Sequence, residues 1–454
     1  MRNEYWAVIR YEISTDRYDH PFSQSTSKPH RKSNAMTTDK KIVDRDRLLE
    51  RFLEYVKIDT AADPNSSRYP SSSGQLLLGK RLLDQLREMG LADAEQDENG
   101  LVWATIPSNV EGACPTVLFN AHLDTSPEAP GANVQPRVIE AYQGGDIRLE
   151  HDGAIISTEQ CPELATLVGK SLVVTDGRTL LGGDDKAGLA TIMELASCLL
   201  AHPEIPHGPI RILFTCDEEI GQGTQKIKLD KVAAHVGYTL DGGGIGDIDE
   251  ETFSADMAIV RFSGRNIHPS IAKNRMVNAV RAAGLFLSLL PTDHLSPEST
   301  DERDGFLHPY DLHGGVGEAS LQLILRDFDT SKLVEYRQLL VDLASAVESR
   351  IPGLSIHIET RRQYRNMADG LKKLPLAVEL AEQAYAQRRI PSRRSIIRGG
   401  TDGAMLTEMG LPMPNLSVGQ FNIHSVLEFA CIDHMVSATE VLIELVQLWE
   451  RNRN

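Results

Sequence analysis

From Asp44 onward the chain alternates between two hydrophobic rhythms. Leu48, Leu49, Phe52, Leu53 and Val56 recur at helical spacing, and a second helix is predicted over 75–89, where Gly90 stops it. The period then shortens. Segments 101–106, 116–121, 210–216 and 236–240 are short, strand-like and mostly apolar, whereas 188–200 reads as a helix between two of them. This alternation predicts an α/β fold with a mixed, mostly parallel sheet flanked by helices.

Between about 253 and 362 the pattern changes to strand 257–262, helix 277–290, strand 318–325, helix 331–348 and strand 354–359. That order predicts an inserted α+β sandwich with its helices on one sheet face. Long helices return from about Leu374, with one strand near 414–418. The larger domain is therefore expected to be discontinuous, 41–252 and 363–454, with 253–362 as a lid or dimerisation domain and the two crossings as a hinge. Residues 1–40 are polar, rich in Ser and Arg, and aperiodic; they read as a flexible tail, or as sequence upstream of a start at Met36.

Composition narrows the function. With 454 residues, 41% of them hydrophobic, the chain has enough apolar material for one large core or two smaller ones, which excludes a disordered or collagen-like protein. The net charge of −17 and the lack of a long Lys/Arg run argue against a partner that is nucleic acid or an anionic membrane. Five scattered cysteines with no CxxC favour a reducing compartment. No apolar run approaches the roughly 20 residues of a membrane span, and Glu4 interrupts the place of a signal peptide, so the cytoplasm is expected.

In open α/β sheets ligands collect outside the carboxyl ends of the strands. There the sequence places His122 and Asp124, two apart on one face of an extended chain, then Asp217, Glu218 and Glu219, and then Asp241. Asp184 and Asp185 precede a helix starting near Lys186, and His424 lies far downstream. Taken singly, each has a plainer reading: a hydrogen-bonded histidine, a turn aspartate before three glycines, a solvated DEE terminus, an N-cap. Taken together, so many carboxylates repel one another unless protons or cations neutralise them. Metal is the economical explanation, and imidazole with carboxylate suits zinc, including pairs of ions about 3.5–4 Å apart. Competing motifs fail: Asp247 replaces the last glycine of a dinucleotide fingerprint, Leu164 replaces the first glycine of a P-loop, and HExxH and GxSxG are missing.

The segments HLDT, TLLGGDDKAG, FTCDEEIGQG, YTLDGGGIG, NIHP, RDFD, YRNM and RGGTDGA, in this order, resemble the M20 family of dizinc peptidases from about Leu48 to the C-terminus. The resemblance implies two zinc ions per chain, one held by His122, Asp184 and Asp241, the other by Asp184, Glu219 and His424. It further implies Glu218 as the general base and Asp124 as the residue orienting His122. It selects Asp184 over Asp185 as the bridge, a choice the residues alone leave open. Arg398 reads either as a surface residue in a glycine turn or, by the resemblance, as a contact to the substrate peptide or the oxyanion together with His268 and Asn278. Three departures, Gly183, Ser270 and the SVLEF segment after His424, remove no implied ligand.

The implied activity is removal of the N-terminal residue from short peptides, tripeptides first. An N-acyl amidohydrolase or carboxypeptidase on the same centre is the alternative, and a non-catalytic peptide-binding protein a third. The insert's sheet edge also offers a contact for a homodimer.

Overall fold

The computed structural model describes residues 42–151 and 153–453; the expected tail, 1–40, lies outside the described residues. Helix Arg45–Tyr55 begins at Asp44, whose side chain accepts the Asp46 and Arg47 N–H groups, and it buries Leu48, Phe52 and Tyr55. Helix Ser73–Glu88 follows, ended by Gly90 at φ +95°.

Four parallel strands form the centre of a mixed sheet, in the order Ile210–Thr215, Val117–His122, Val236–Gly243 and Asn415–Phe421. Val102–Ile106 flanks them antiparallel on one side and Phe429–Cys431 antiparallel on the other, with Leu172–Val174 beyond it and antiparallel to it. All six residues of Val117–His122 are buried, as a strand covered on both faces requires. Helix Gly183–Ala201 packs on this strand and against helices Arg45–Tyr55 and Ile432–Arg451, which is why it is apolar almost all round. Among the described residues no helix is long and apolar enough to cross a membrane.

Within the insert, strands Phe306–Gly314, Glu318–Asp327, Ser254–Ser263 and Ser355–Tyr364 form an antiparallel sheet in that order, with helices Ala279–Leu289 and Lys332–Arg350 packed on it. Its apolar cluster, which includes Val260, Phe262, Phe286, Leu323 and Leu340, is separate from the main one.

Among the strands that the hydrophobic pattern missed, three have a plain physical reason. Phe306–Gly314 carries Pro309 and a register shift beside it; it is an edge strand, where a residue without an N–H is tolerated. Asp247–Thr252 and Arg393–Ile397 are charged segments paired parallel to each other, and Arg393 with Asp247 and Arg394 with Glu250 link them. Charge pairing replaces apolar alternation there.

Phe286 is fully buried and stacks edge-on against Phe262 at 5.6 Å. Phe286→Ala is expected to cost about 3–5 kcal/mol, read as a lower urea midpoint, with metal content of the folded protein unchanged.

Candidate dinuclear metal centre

Parallel register brings the chemistry together. His122 ends its strand opposite Thr215, and the next strand over carries Asp241. Beyond Thr215 the chain turns sharply at Asp217, which has a left-handed φ of 60°, into the short 3-10 turn Glu218–Ile220. That conformation is fastened down: the Asp217 carboxylate accepts from Ser71 N at 2.7 Å and Gln75 Nε2 at 2.6 Å. Asp184 and Asp185 form a non-helical turn joined by a cis peptide bond at the head of the buried helix.

The cluster that results is tight. His122 Nε2 lies 2.9 Å from Asp184 Oδ1 and 4.0 Å from Asp241 Oδ1. His424 Nε2 lies 3.2 Å from Asp184 Oδ2 and 3.0 Å from Glu219 Oε2. The two oxygens of Asp184 therefore face different histidines, as a bridging carboxylate must.

Asp185 also offers an oxygen within 4.8 Å of His122 and Asp241. Its two oxygens, however, accept the His122 and Gly188 N–H groups, each at 3.2 Å. Backbone bonding thus sets Asp185 apart from Asp184.

Asp124 does more than orient an imidazole. His122 Nδ1 is 3.1 Å from the Asp124 carbonyl oxygen and 3.5 Å from its carboxylate. The carboxylate instead accepts the N–H groups of Glu218 at 3.1 Å and Glu219 at 3.0 Å, tying the glutamate turn to the histidine strand.

Electrostatics shows what this crowding demands. Burial, reinforced by the charge of Asp184, pushes the Glu219 carboxyl up to about 7 and raises Asp241 well above the usual carboxylate range. Burial also raises Glu218, with His122 opposing and Asp402 adding to the shift. Burial acts downward on His424, yet Asp184 and Glu219 outweigh it and lift the imidazole to about 11. These shifts all favour bound protons at the cluster. Glu219 Oε1 is buried with no hydrogen-bond partner in the protein. Divalent cations fit this donor set, because they would replace the protons and satisfy that oxygen.

Residues 172–448 match the family model described as Peptidase family M20/M25/M40. The chain belongs to the M20 peptidase family. Its activity is accordingly hydrolysis of peptide bonds. Peptidase T of Geobacillus thermodenitrificans is 42% identical over 408 residues, 90% of this chain and 99% of the relative. Peptidase T of Clostridium acetobutylicum is 41% identical over 405 residues, 89% of this chain and 99% of the relative. The fold matches crystal structures of an aminopeptidase PepT from Bacillus cereus, at TM-score 0.70 and 21% identity, and of a tripeptidase from Staphylococcus aureus, at 0.71 and 23%. Each alignment covers 90% of this chain and 100% of the other.

Not every residue expected at the site of this M20 peptidase lies there in the structure. Arg398 spends its guanidinium on the insert: it donates to the carbonyls of Glu302 at 2.9 Å and Asp304 at 3.0 Å, and stacks on Phe253 and Phe306. His268 is exposed and bonds within its own turn to Ser270, while Asn278 caps helix Ala279–Leu289 by accepting the Arg281 N–H. Among the described residues, no hydrogen bond or ion pair joins either to the cluster. A cavity of about 880 Å³ opens beside the centre and meets it at Asp241, with Ile245, Ile390, Phe421 and Ile423 among its walls.

Sequence reading passed over Glu428. It is 1% exposed, and its carboxylate accepts three N–H groups, from Leu181 and Gly182 at 2.7 Å and from Asp184 at 3.0 Å. The signal was a lone charge in the apolar run LEFAC. Glu428→Ala is expected to loosen the Asp184 turn and weaken metal affinity by roughly 10–100-fold, measured by competition with a chromophoric chelator.

Proposed function

We propose that this M20 peptidase is a dizinc aminopeptidase that removes the N-terminal residue from tripeptides. The observation carrying the proposal is the Asp184 carboxylate, one oxygen beside His122 and the other beside His424, with Glu218 on the adjoining turn. His122, Asp184 and Asp241 would hold one zinc ion, and Asp184, Glu219 and His424 the other. Bound there, the ions would supply Lewis acidity, easing deprotonation of a water and polarising the scissile carbonyl.

The rest falls to the protein's own groups. Glu218 takes a proton from the attacking water as the C–O bond forms, then delivers it to the leaving nitrogen as the C–N bond breaks. Asp124 holds the Glu218 turn through two backbone N–H groups and keeps the base in place. Substrate contacts by Arg398, His268 and Asn278 belong to the same proposal and require the insert, 253–362, to move as a lid against 41–252 and 363–454. The edge strand Phe306–Gly314 exposes Tyr310 and Leu312, each 47% accessible, and is the surface we assign to a homodimer. Five free thiols suit the cytoplasm as the place of work.

Metal analysis of the purified protein is expected to find two zinc ions per chain. Tripeptide hydrolysis should stop on chelation and return with zinc. Free tripeptides should be cleaved and N-acetylated ones refused; the reverse preference would establish an acyl amidohydrolase in place of an aminopeptidase. Glu218→Gln is expected to lower kcat by about 10²–10⁴-fold while both ions stay bound, checked by steady-state kinetics beside metal analysis. Substantial remaining turnover would remove Glu218 from the role of base.

A further inference from the structure

The cavity beside the centre is walled from one direction. Asp241 lines it, and so do Phe421, Asn422 and Ile423, the three residues that lead into His424. Among its lining residues none comes from the Glu218 turn and none from the insert. Gly243 and Gly244 follow Asp241 and put no side chain across the opening; a Cβ on Gly244 would meet only the Phe421 ring, at 3.8 Å. Asp241 and the strand end before His424 therefore border one space, and the base stands outside it.

The side chains that an occupant would touch are largely apolar. Ile423 is 44% exposed next to a histidine of the cluster, and Ile245, Ile390 and Phe421 are half-buried. Charges in the wall are largely engaged already: Arg393 donates to Asp247 at 2.9 Å, and Asp249 accepts from Ser395 at 2.7 Å and from Asn415 at 2.9 Å. Glu163 and Lys170, also in the wall, carry opposite signs. One exposed isoleucine needs no explanation, but four apolar side chains around one cavity beside a reaction centre call for an apolar occupant. At about 880 Å³ the space admits the largest natural side chain.

We propose that this cavity receives the side chain of the substrate's N-terminal residue, and that Ile245, Ile390, Phe421 and Ile423 make the enzyme select peptides that begin with a large apolar residue. The inference rests on the aminopeptidase reading of the centre and adds a substrate preference to it. Glu218 sets the direction of the peptide. This base hands its proton to the leaving nitrogen, so the second residue and those after it lie on the Glu218 side. The first residue carries the scissile carbonyl, and its side chain branches from the adjoining carbon. With the carbonyl at the cluster, that branch points away from the leaving nitrogen, toward the wall that Glu218 does not share. Each methylene entering the cavity exchanges water for apolar surface, and the gain persists in the transition state, so it raises kcat/KM.

Tripeptides that differ only in their first residue test this on the full-length, zinc-loaded enzyme. The kcat/KM for Leu-Gly-Gly is expected to exceed that for Gly-Gly-Gly by about 100-fold. Ile245→Trp, which fills the cavity, should shrink that ratio to about tenfold or less. Ile245→Asp should instead favour Arg-Gly-Gly over Leu-Gly-Gly, a gain that a misfolded variant cannot give. A wild-type ratio near one, or a ratio unchanged in either variant, would overturn the proposal. Should the wild-type enzyme cleave no tripeptide, the aminopeptidase reading would fall on its own. Leucine hydroxamate, whose binding needs no turnover, would still decide what the cavity does: affinity no tighter than that of glycine hydroxamate would refute the assignment.

Discussion

Asp184, Glu219 and Asp241 lie within a few ångströms of two imidazoles at the ends of parallel strands, and the rest of the structure answers to that crowding. Taking a carboxylate from water into such a space costs several kcal/mol unless opposite charge comes with it. Burial raises the carboxyl pKa values of Glu219 and Asp241, and the carboxylates raise that of His424; divalent metal bound at the cluster would strike the balance with less loss, since an ion can satisfy several oxygens at once.

Around this centre the acidic residues divide into two sets. Asp124, Asp185, Asp217 and Glu428 spend their oxygens on N–H groups of neighbouring segments, and so hold the turns that carry the clustered side chains. Glu219 and Asp402 keep buried oxygens without partners. The first set makes the second affordable, because the turns cannot relax away from one another to relieve repulsion. Backbone capture of one carboxylate therefore preorganises the next.

Specific contacts fasten the insert to the same machinery, ion pairs such as Arg303–Glu251 among them. Arg398 grips the carbonyls of Glu302 and Asp304, and Tyr364, where the insert's last strand runs on past residue 362 into the main domain, lies across Gly400. Both contacts fall on the short segment leading into helix Asp402–Met409, whose first residue presses on the glutamate turn. Movement of the insert would thus be felt at the Glu218 turn through this loop.

The fold class was legible because apolar strands of period two and helices of period 3.6 leave distinct traces. So was the gathering of His122, the Asp184–Asp185 pair, the Glu218–Glu219 pair and Asp241 about the strand ends, whose residue types suit a cation; singling out Asp184, Glu219 and His424 took the family resemblance. Charged strands such as Asp247–Thr252 and the proline-bearing edge strand were not, since their pairing draws on salt bridges and edge position rather than hydrophobic alternation. Glu428 and the contacts of Arg398 were hidden for another reason: sequence specifies which groups can bond, but which partner a group meets depends on chain segments hundreds of residues apart closing on one point. Local periodicity is a property of neighbours along the chain. Which of Asp184 and Asp185 has its oxygens taken up by backbone N–H groups, and which carboxylate serves as anchor, were decided only when those distant segments competed for the same few donors.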